Sequence, residues 1–355
     1  MTGFRKRQSI RENPLDVRNL KENEHKLWDR FVMQHPGTSF FFLSGVKSLI
    51  AERYGYRPRY LVAWNGSRIE GILPLFDIRQ FGFGRRLISI PHSVYGGICA
   101  NSEDAAAALQ DHAINLADEL HVRYLELRQQ EQRSGPWMTR SMYCTFHLHL
   151  QAGEEQIWKN MRKSLRRSII KAQKNGLSVD FDSRDIRAFY HFYRQDQKRF
   201  GTPVQEYGWY HDLFCRFPEN HLIARVLFQK QVIAQFLVRR FKGRISETVG
   251  NDVQSLRHLN PNSFLEWELI RYACANRFSI YDFGRSIRYS GTYHFKQGWG
   301  GEEVGLHYLY FSHHPKKVMD ASQCNPKREW FARGWRILPM AVVRFAGPAI
   351  RRRYP

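Results

Sequence analysis

Two stretches of this chain repeat one order of elements, and that repeat limits the possible folds more than any other feature. Leu20–Gln34 and Ser44–Arg53 have the apolar spacing of helices. Strand-like segments follow at Arg59–Trp64, Ile69–Ile78 and Arg86–Pro91, the first two joined by Asn65-Gly66, a strong hairpin signal. A helix over Ala105–Leu120 and strands over Tyr124–Leu127 and Thr145–Leu150 complete the unit. The order then returns. Glu155–Asn175 reads as a helix stopped by Gly176, Leu177–Phe181 as a strand, and Asp185–Arg199 and Tyr207–Arg216 as helices. A meander spans His221–Gln229, Gln231–Phe241 and Arg244–Gly250, followed by a helix at Asn262–Asn276 and strands at Ser279–Phe283 and Gly305–Phe311. The spacing predicts a duplicated α/β fold.

The length of 355 residues accommodates two such units, each with its own core. With 43% apolar and 25% charged residues, a disordered or fibrous chain is excluded. Five cysteines stand far apart with no C-x-x-C pair, as expected of reduced thiols. Residues 1–14 are basic and polar and lack the apolar stretch of an export signal. Phe40–Leu43 and Ile337–Val343 are too short to span a bilayer, so a cytoplasmic protein is expected.

Lys plus Arg number 55 against 33 Asp plus Glu, a formal charge of +22. Such an excess implies a polyanionic partner, either nucleic acid or an anionic membrane. It is also clustered. Residues 159–174 carry seven cations and no acid, and the last thirty residues carry eight cations against Glu329. In the tail, Trp330, Phe331, Trp335 and Phe345 interleave with Arg333, Arg336 and Arg344, while Pro339 and Pro348 should break any helix. Such a segment suits an anionic membrane surface, or else packs as a helix on the second unit.

The densest polar constellation is YDFGRSIRYSGTYHFKQGWGGEE, Tyr281–Glu303, which begins at a strand end. It reads as a long glycine-rich loop that brings Asp282, Arg285, Ser286, Tyr293 and Lys296 close to a ligand. Gly291–Glu302 within it resembles the Tyr-x-Phe-Lys-x-Gly-Phe-Gly-Gly signature of the FemAB-like acyltransferases, relatives of the Gcn-five-type (GNAT) N-acetyltransferases. YDFGRS, FGTP (Phe200–Pro203), PNSFLEWELIR (Pro261–Arg271), RRSIIKAQKNGLSV (Arg166–Val179) and PHSVYGG (Pro91–Gly97) are similar to the branch found beside exopolysaccharide loci. The resemblance spans roughly residues 15–312.

It implies tandem GNAT-like domains over 15–152 and 153–312, with mixed, mostly antiparallel sheets flanked by helices. A basic arm (1–14) and a basic aromatic tail (313–355) would stand outside them. It also implies transfer of an acyl or aminoacyl group onto an amine of a cell-envelope saccharide or lipid-linked precursor. The best-known members extend peptidoglycan cross-bridges from aminoacyl-tRNA. Lys296 matches the signature lysine and Phe295 the aromatic beside it. Trp299 stands where the bridge-forming enzymes have Phe. Tyr95, Asn262 and Trp267 lie in the other matching segments and are implied substrate contacts.

The chemistry needs such groups. Aminolysis of an ester or thioester passes through an oxyanion, which a fixed cation such as Lys296 stabilises. An attacking ammonium must first lose a proton. Asp282, beside Arg285, would be held ionised as a base or ammonium anchor, unless the pair only shapes the loop. Tyr293 is a candidate donor to the leaving oxygen.

The donor, aminoacyl-tRNA or acyl-CoA, stays open. Coenzyme-A-dependent relatives cradle pyrophosphate on an R/Q-x-x-G-x-G/A loop that leads into a helix. The corresponding stretch here, NDVQSLRHLNPNS, has no such glycines. A literal match at Arg79–Gly84 lies between two strands and reads as a hairpin turn. Arg166, Arg167 and Lys171 line one flank of the basic helix and suit tRNA phosphates, a saccharide diphosphate or a membrane. His147-x-His149 puts two imidazoles on one strand face without a third ligand, so no metal is expected.

Overall fold

The structure is a computed structural model that describes residues 15–80, 82, 84–314 and 326–353. The expected basic arm and residues 315–325 of the tail lie outside the described residues, as do Phe81 and Phe83 of the predicted turn.

Fourteen strands join one sheet. They are β1 (Asp16–Asn19), β2 (Arg57–Asn65), β3 (Arg68–Gln80), β4 (Gly84–Ser89), β5 (Cys99–Ala100), β6 (Tyr124–Gln129) and β7 (Met138–His149), then β8 (Ser178–Ser183), β9 (His221–Phe228), β10 (Gln231–Phe241), β11 (Arg244–Asp252), β12 (Ile280–Asp282), β13 (Ser286–Ile287) and β14 (Glu302–Phe311). The order across the sheet is β1-β2-β3-β4-β6-β14-β7-β12-β11-β10-β9-β8, with β5 on β3 and β13 on β7. All pairings are antiparallel except β4 with β6 and β11 with β12. The halves are therefore related in topology. Each runs a meander whose last strand pairs in parallel with the strand that follows a helix.

The terminal strands cross over. β7, which closes the first half in sequence, pairs with β12 of the second, while β14 inserts between β6 and β7. A single sheet thus passes through residues 15–152 and 153–312.

The helices are α1 (His25–Gln34), α2 (Ser44–Tyr54), α3 (Glu103–Glu119), α4 (Gly153–Asn160), α5 (Lys163–Lys174), α6 (Ile186–Phe200), α7 (Tyr207–Arg216), α8 (Pro261–Ala275), α9 (Gly291–Gln297), α10 (Pro326–Ile337) and α11 (Met340–Arg351). One apolar cluster centres on α3 under β2, β3 and β6, and another on α5 and α8 under β7 and β9–β12. A third joins the halves, placing Trp28 and Phe40 with Trp209, Leu213 and Trp335.

Three expectations change. The helix over Glu155–Asn175 is two helices, broken where Met161 is extended and buried and the Arg162 amide donates to the Gly298 carbonyl at 2.8 Å. A long-range backbone bond here outweighs local propensity. The glycine-rich segment contains α9, started by Ser290, whose hydroxyl accepts from the Tyr293 amide. Pro339 does separate two helices, but Pro348 sits inside α11. The Arg79–Gly84 stretch is the expected hairpin, with Gln80 opposite Gly84 in register.

Candidate active site

β11 and β12 run side by side only from Arg244/Ile280 to Ser246/Asp282. Beyond that, β11 continues to Asp252 and the other chain turns away at Phe283–Gly284, so the parallel pair opens. The gap widens into a cleft of about 1750 Å³ on the face of the sheet where the halves meet. β4, β6, β7, β10, β11, β12 and β14 all contribute to it. Its described walls carry ten Lys or Arg residues against four Asp or Glu.

Lys296 enters this cleft from the last turn of α9. Its Nζ donates to the Gly284 carbonyl at 3.0 Å and the Arg285 carbonyl at 3.4 Å. An ammonium has three N–H donors, so one remains for a ligand. Gly284 has φ +71, and a Cβ there would stand 3.3 Å from the Glu247 carbonyl oxygen. Close packing and left-handed backbone both call for glycine at this position.

Glu247 lines the opened gap on β11. A bulge at Thr248 lies beside it, since Val238 pairs with Glu247 but Leu237 with Val249. Bulges redirect side chains in this way. Burial pushes the Glu247 carboxyl above the usual glutamate range, against the pull of the Lys296 charge. Behind it, Glu266 on α8 is 1% exposed. Burial and then the charge of Glu247 push its carboxyl well above the ordinary range. Of the two, Glu266 is held the higher, and Glu247 is the one whose ionised form the Lys296 charge favours most directly.

Asp282 is buried and has a full shell of donors. Its Oδ1 accepts from Thr145 Oγ1 at 2.6 Å and the Gly284 amide at 2.9 Å, and its Oδ2 from Tyr95 Oη at 2.8 Å. His147 and Arg244 lie 3.6 and 3.8 Å away. Despite its burial, hydrogen bonding and charge from His147, then Arg244 and Thr145, hold the carboxyl well below the usual aspartate range. So stabilised a carboxylate is a poor base; it anchors the turn at Gly284. Its cationic neighbour is Arg244, not Arg285 as the sequence suggested, because Arg285 turns toward β14. There it donates to Tyr308 Oη at 2.9 Å and lies over the Tyr143 ring.

Tyr95, Asp282, Arg285 and Lys296 therefore line one cleft. The other expected contacts do not line it. Tyr293 is buried against Phe146 and donates to Glu303 at 2.7 Å, so it does not face the cleft as a donor to a leaving oxygen. Phe295 packs edge-on to Trp299, and Trp267 tilts on Trp158; both are core contacts. Ser286 is buried in β13. Asn262 donates to Asp252 at 2.6 Å. Arg166 caps α4 through the Trp158 and Lys159 carbonyls, and Arg167 and Lys171 are exposed on α5.

The sequence reading missed the strand residues of the cleft. Tyr124, Glu126 and Arg128 alternate onto one face of β6, with an Arg128 Nε to Glu126 bond of 2.8 Å. Arg239 ends the apolar run of β10, lies over Phe41 at 4.3 Å, and has its guanidinium pushed down to about 10 by burial. It makes no ion pair with a carboxylate among the described residues. Strand alternation was the available signal for Arg128, and Glu266 amid the apolar residues of α8 was another.

Residues 159–297, from α4 through α9, match the family model described as an acetyltransferase (GNAT) domain. The chain carries an acyltransferase domain. The whole fold is similar to solved GNAT-type structures. FemX matches at a TM-score of 0.65 and 12% identity, covering 86% of this chain and 99% of its own. The C-terminal domain of a putative lysylphosphatidylglycerol synthetase from Agrobacterium fabrum matches at 0.56 and 12%, covering 84% and 95%. A tandem GNAT protein from the clavulanic acid biosynthesis pathway matches at 0.53 and 11%, covering 83% and 97%. No curated protein matches the sequence. Within the matched stretch the cleft begins where β11 and β12 part, and Glu247 and Lys296 both line it.

Proposed function

We propose that this chain is a FemAB-like N-acyltransferase that moves an aminoacyl group from an ester donor onto an amine of an anionic cell-envelope precursor, saccharide or lipid-linked. The observation that carries the reading is that Lys296 and Glu247 line the same strongly basic cleft at the opened β11/β12 pair, the charge of the one acting on the carboxyl of the other. Glu247 takes the proton from the acceptor ammonium. The freed amine nitrogen attacks the donor carbonyl carbon, and the oxyanion forms beside the spare Lys296 N–H. That first proton passes from Glu247 to water. As the carbon–nitrogen bond forms, Glu247 takes the second nitrogen proton. When the carbonyl–oxygen bond to the donor breaks, Glu247 delivers this proton to the leaving oxygen, so a neutral amide and a free hydroxyl result. Arg239 and Arg285 supply charge for the anionic part of the acceptor.

The start of α8 argues against acyl-CoA. A diphosphate there would meet Asp252, whose buried carboxylate accepts from Asn262 and is ringed by Arg199 and Arg257. The backbone turns through Asn260 at φ +59, directly ahead of Pro261, which has no N–H to offer. A carboxylate at the place of a phosphate repels it, and the anion-accepting cations are already engaged. The name of the lysylphosphatidylglycerol synthetase neighbour, an aminoacylated lipid maker, agrees with an aminoacyl donor.

The test supplies the purified chain with a radiolabelled pool of aminoacyl-tRNA, or with acetyl-CoA, and an extract of envelope lipids and nucleotide-linked sugars. An alkali-stable labelled amide formed from the tRNA pool and absent in Lys296→Met supports the reading. Transfer from acetyl-CoA alone, with tight calorimetric binding of coenzyme A, overturns the donor assignment. No transfer from either donor overturns the activity.

A further inference from the structure

The C-terminal helices have two unlike faces. Inward, Trp335, Val343 and Gly347 are buried, and a Cβ on Gly347 would stand 2.6 Å from Val204. The Arg352 carbonyl accepts from Tyr56 Oη at 2.6 Å, and Arg351 donates to Gln205 at 3.2 Å. The hairpin is therefore docked, and Phe331, Ala332 and Arg351 form part of the cleft wall. Outward, Trp330 is 82% exposed, Ile337 83% and Phe345 76%. Trp330 and Ile337 share one face of α10 at i, i+7, and Ala341, Phe345 and Ala349 share one face of α11 at i, i+4, i+8. A row of large exposed apolar groups is costly in water.

Charge sits beside this row. A groove of about 450 Å³ runs between α6 and α11, lined by Arg187, Arg194, Arg344 and Phe345 with Tyr190 and Tyr207. None of these three arginines pairs with a carboxylate among the described residues, and Arg194 Nε is buried without a partner among them. Three unneutralised guanidiniums beside a protruding phenylalanine match a phosphodiester headgroup above an acyl layer. A second copy of the chain would bring a like-charged groove against this one.

We propose that α10–α11 and the Arg187–Arg194–Arg344 groove dock on an anionic phospholipid bilayer. Trp330, Ile337 and Phe345 sit at the headgroup–acyl boundary and the groove holds a lipid phosphate. Docking sets the wall of the cleft formed by Phe331 and Arg351 against the membrane. The proposal needs no turnover and stands or falls apart from the acyl-transfer reading.

Sedimentation with phosphatidylcholine vesicles, with and without phosphatidylglycerol, tests it on the full chain. Wild type should pellet with the anionic vesicles and be released by salt. Trp330→Ser/Ile337→Ser/Phe345→Ser should stay in the supernatant. Arg187→Gln/Arg194→Gln/Arg344→Gln should lose at least about five-fold in partitioning per charge removed. As a second reading on folded wild type, lipids brominated near the headgroup should quench tryptophan emission, and Trp330→Phe should remove most of that quenching. Wild type remaining soluble with anionic vesicles would overturn the proposal, as would unchanged pelleting of the apolar variant. A concentration-dependent dimer abolished by the apolar variant, without vesicle binding, would overturn it in favour of self-association.

Discussion

The Lys296 ammonium is held 3.0 Å from the carbonyl oxygen of Gly284, the residue whose missing side chain lets the turn after β12 rest on the backbone of Glu247. The cation, the turn and the opposing carboxylate are thus fixed by one packing arrangement rather than by three independent choices.

Gly284→Ala tests that arrangement. The left-handed backbone alone should cost about 1–2 kcal/mol, and the new methyl must displace the Glu247 strand. Thermal unfolding should show the loss, and transfer should fall further than stability because Lys296 moves with its anchor.

Lys296→Met removes the charge without changing the size of the side chain much. Loss of one oxyanion donor costs about 2.7–4 kcal/mol, so single-turnover transfer should slow by about 10²–10³-fold. The melting temperature should change little, because the ammonium is only half-buried.

Glu247→Gln should lower transfer by about 10²–10⁴-fold. The active form of Glu247 is the carboxylate, so the wild-type rate should rise with pH through its titration. Burial has moved that titration upward, so the acidic limb should lie above the usual glutamate range. The limb should vanish in the variant. An unchanged limb would assign the base elsewhere.

Asp282→Ala addresses stability. The folded carboxyl titrates well below its unfolded value of about 3.9, so its stabilising contribution is present above that value and is lost as pH falls toward the folded one. At neutral pH the variant should lose about 1–3 kcal/mol, since the buried Thr145 hydroxyl, the Gly284 amide and the half-buried Tyr95 lose their acceptor. In denaturant titrations the gap from wild type should narrow below about pH 4.

Much of the fold was legible because its signals are local. Asn65-Gly66 marked the β2–β3 hairpin, Gly176 the end of α5, and Tyr207–Arg216 was read to the residue. Strand β7 was read too short, as Thr145–Leu150, because residues 138–144 mix Arg140 and Ser141 with Met138 and Met142, and only pairing with β14 makes them a strand. Among the site residues, Lys296, Arg285, Asp282 and Tyr95 were legible through motifs. Tyr293 and Phe295 stand beside Lys296 in the motif but pack inward, since helix α9 sends its neighbouring side chains to different sides, and Ser286 is buried because it falls in β13.

The sequence by itself determined the duplicated order of elements, the lysine and glycines of the α9 segment, and the basic excess, because periodicity, turn chemistry and charge are properties of neighbouring residues. Only the tertiary structure decided that β7 and β14 change halves, that Asp282 pairs with Arg244, and that Glu247, with Glu266 behind it, shares the cleft with Lys296. Those relations join residues far apart in the chain, and burial, which sets the protonation of the carboxyls, exists only once the sheet has closed over them.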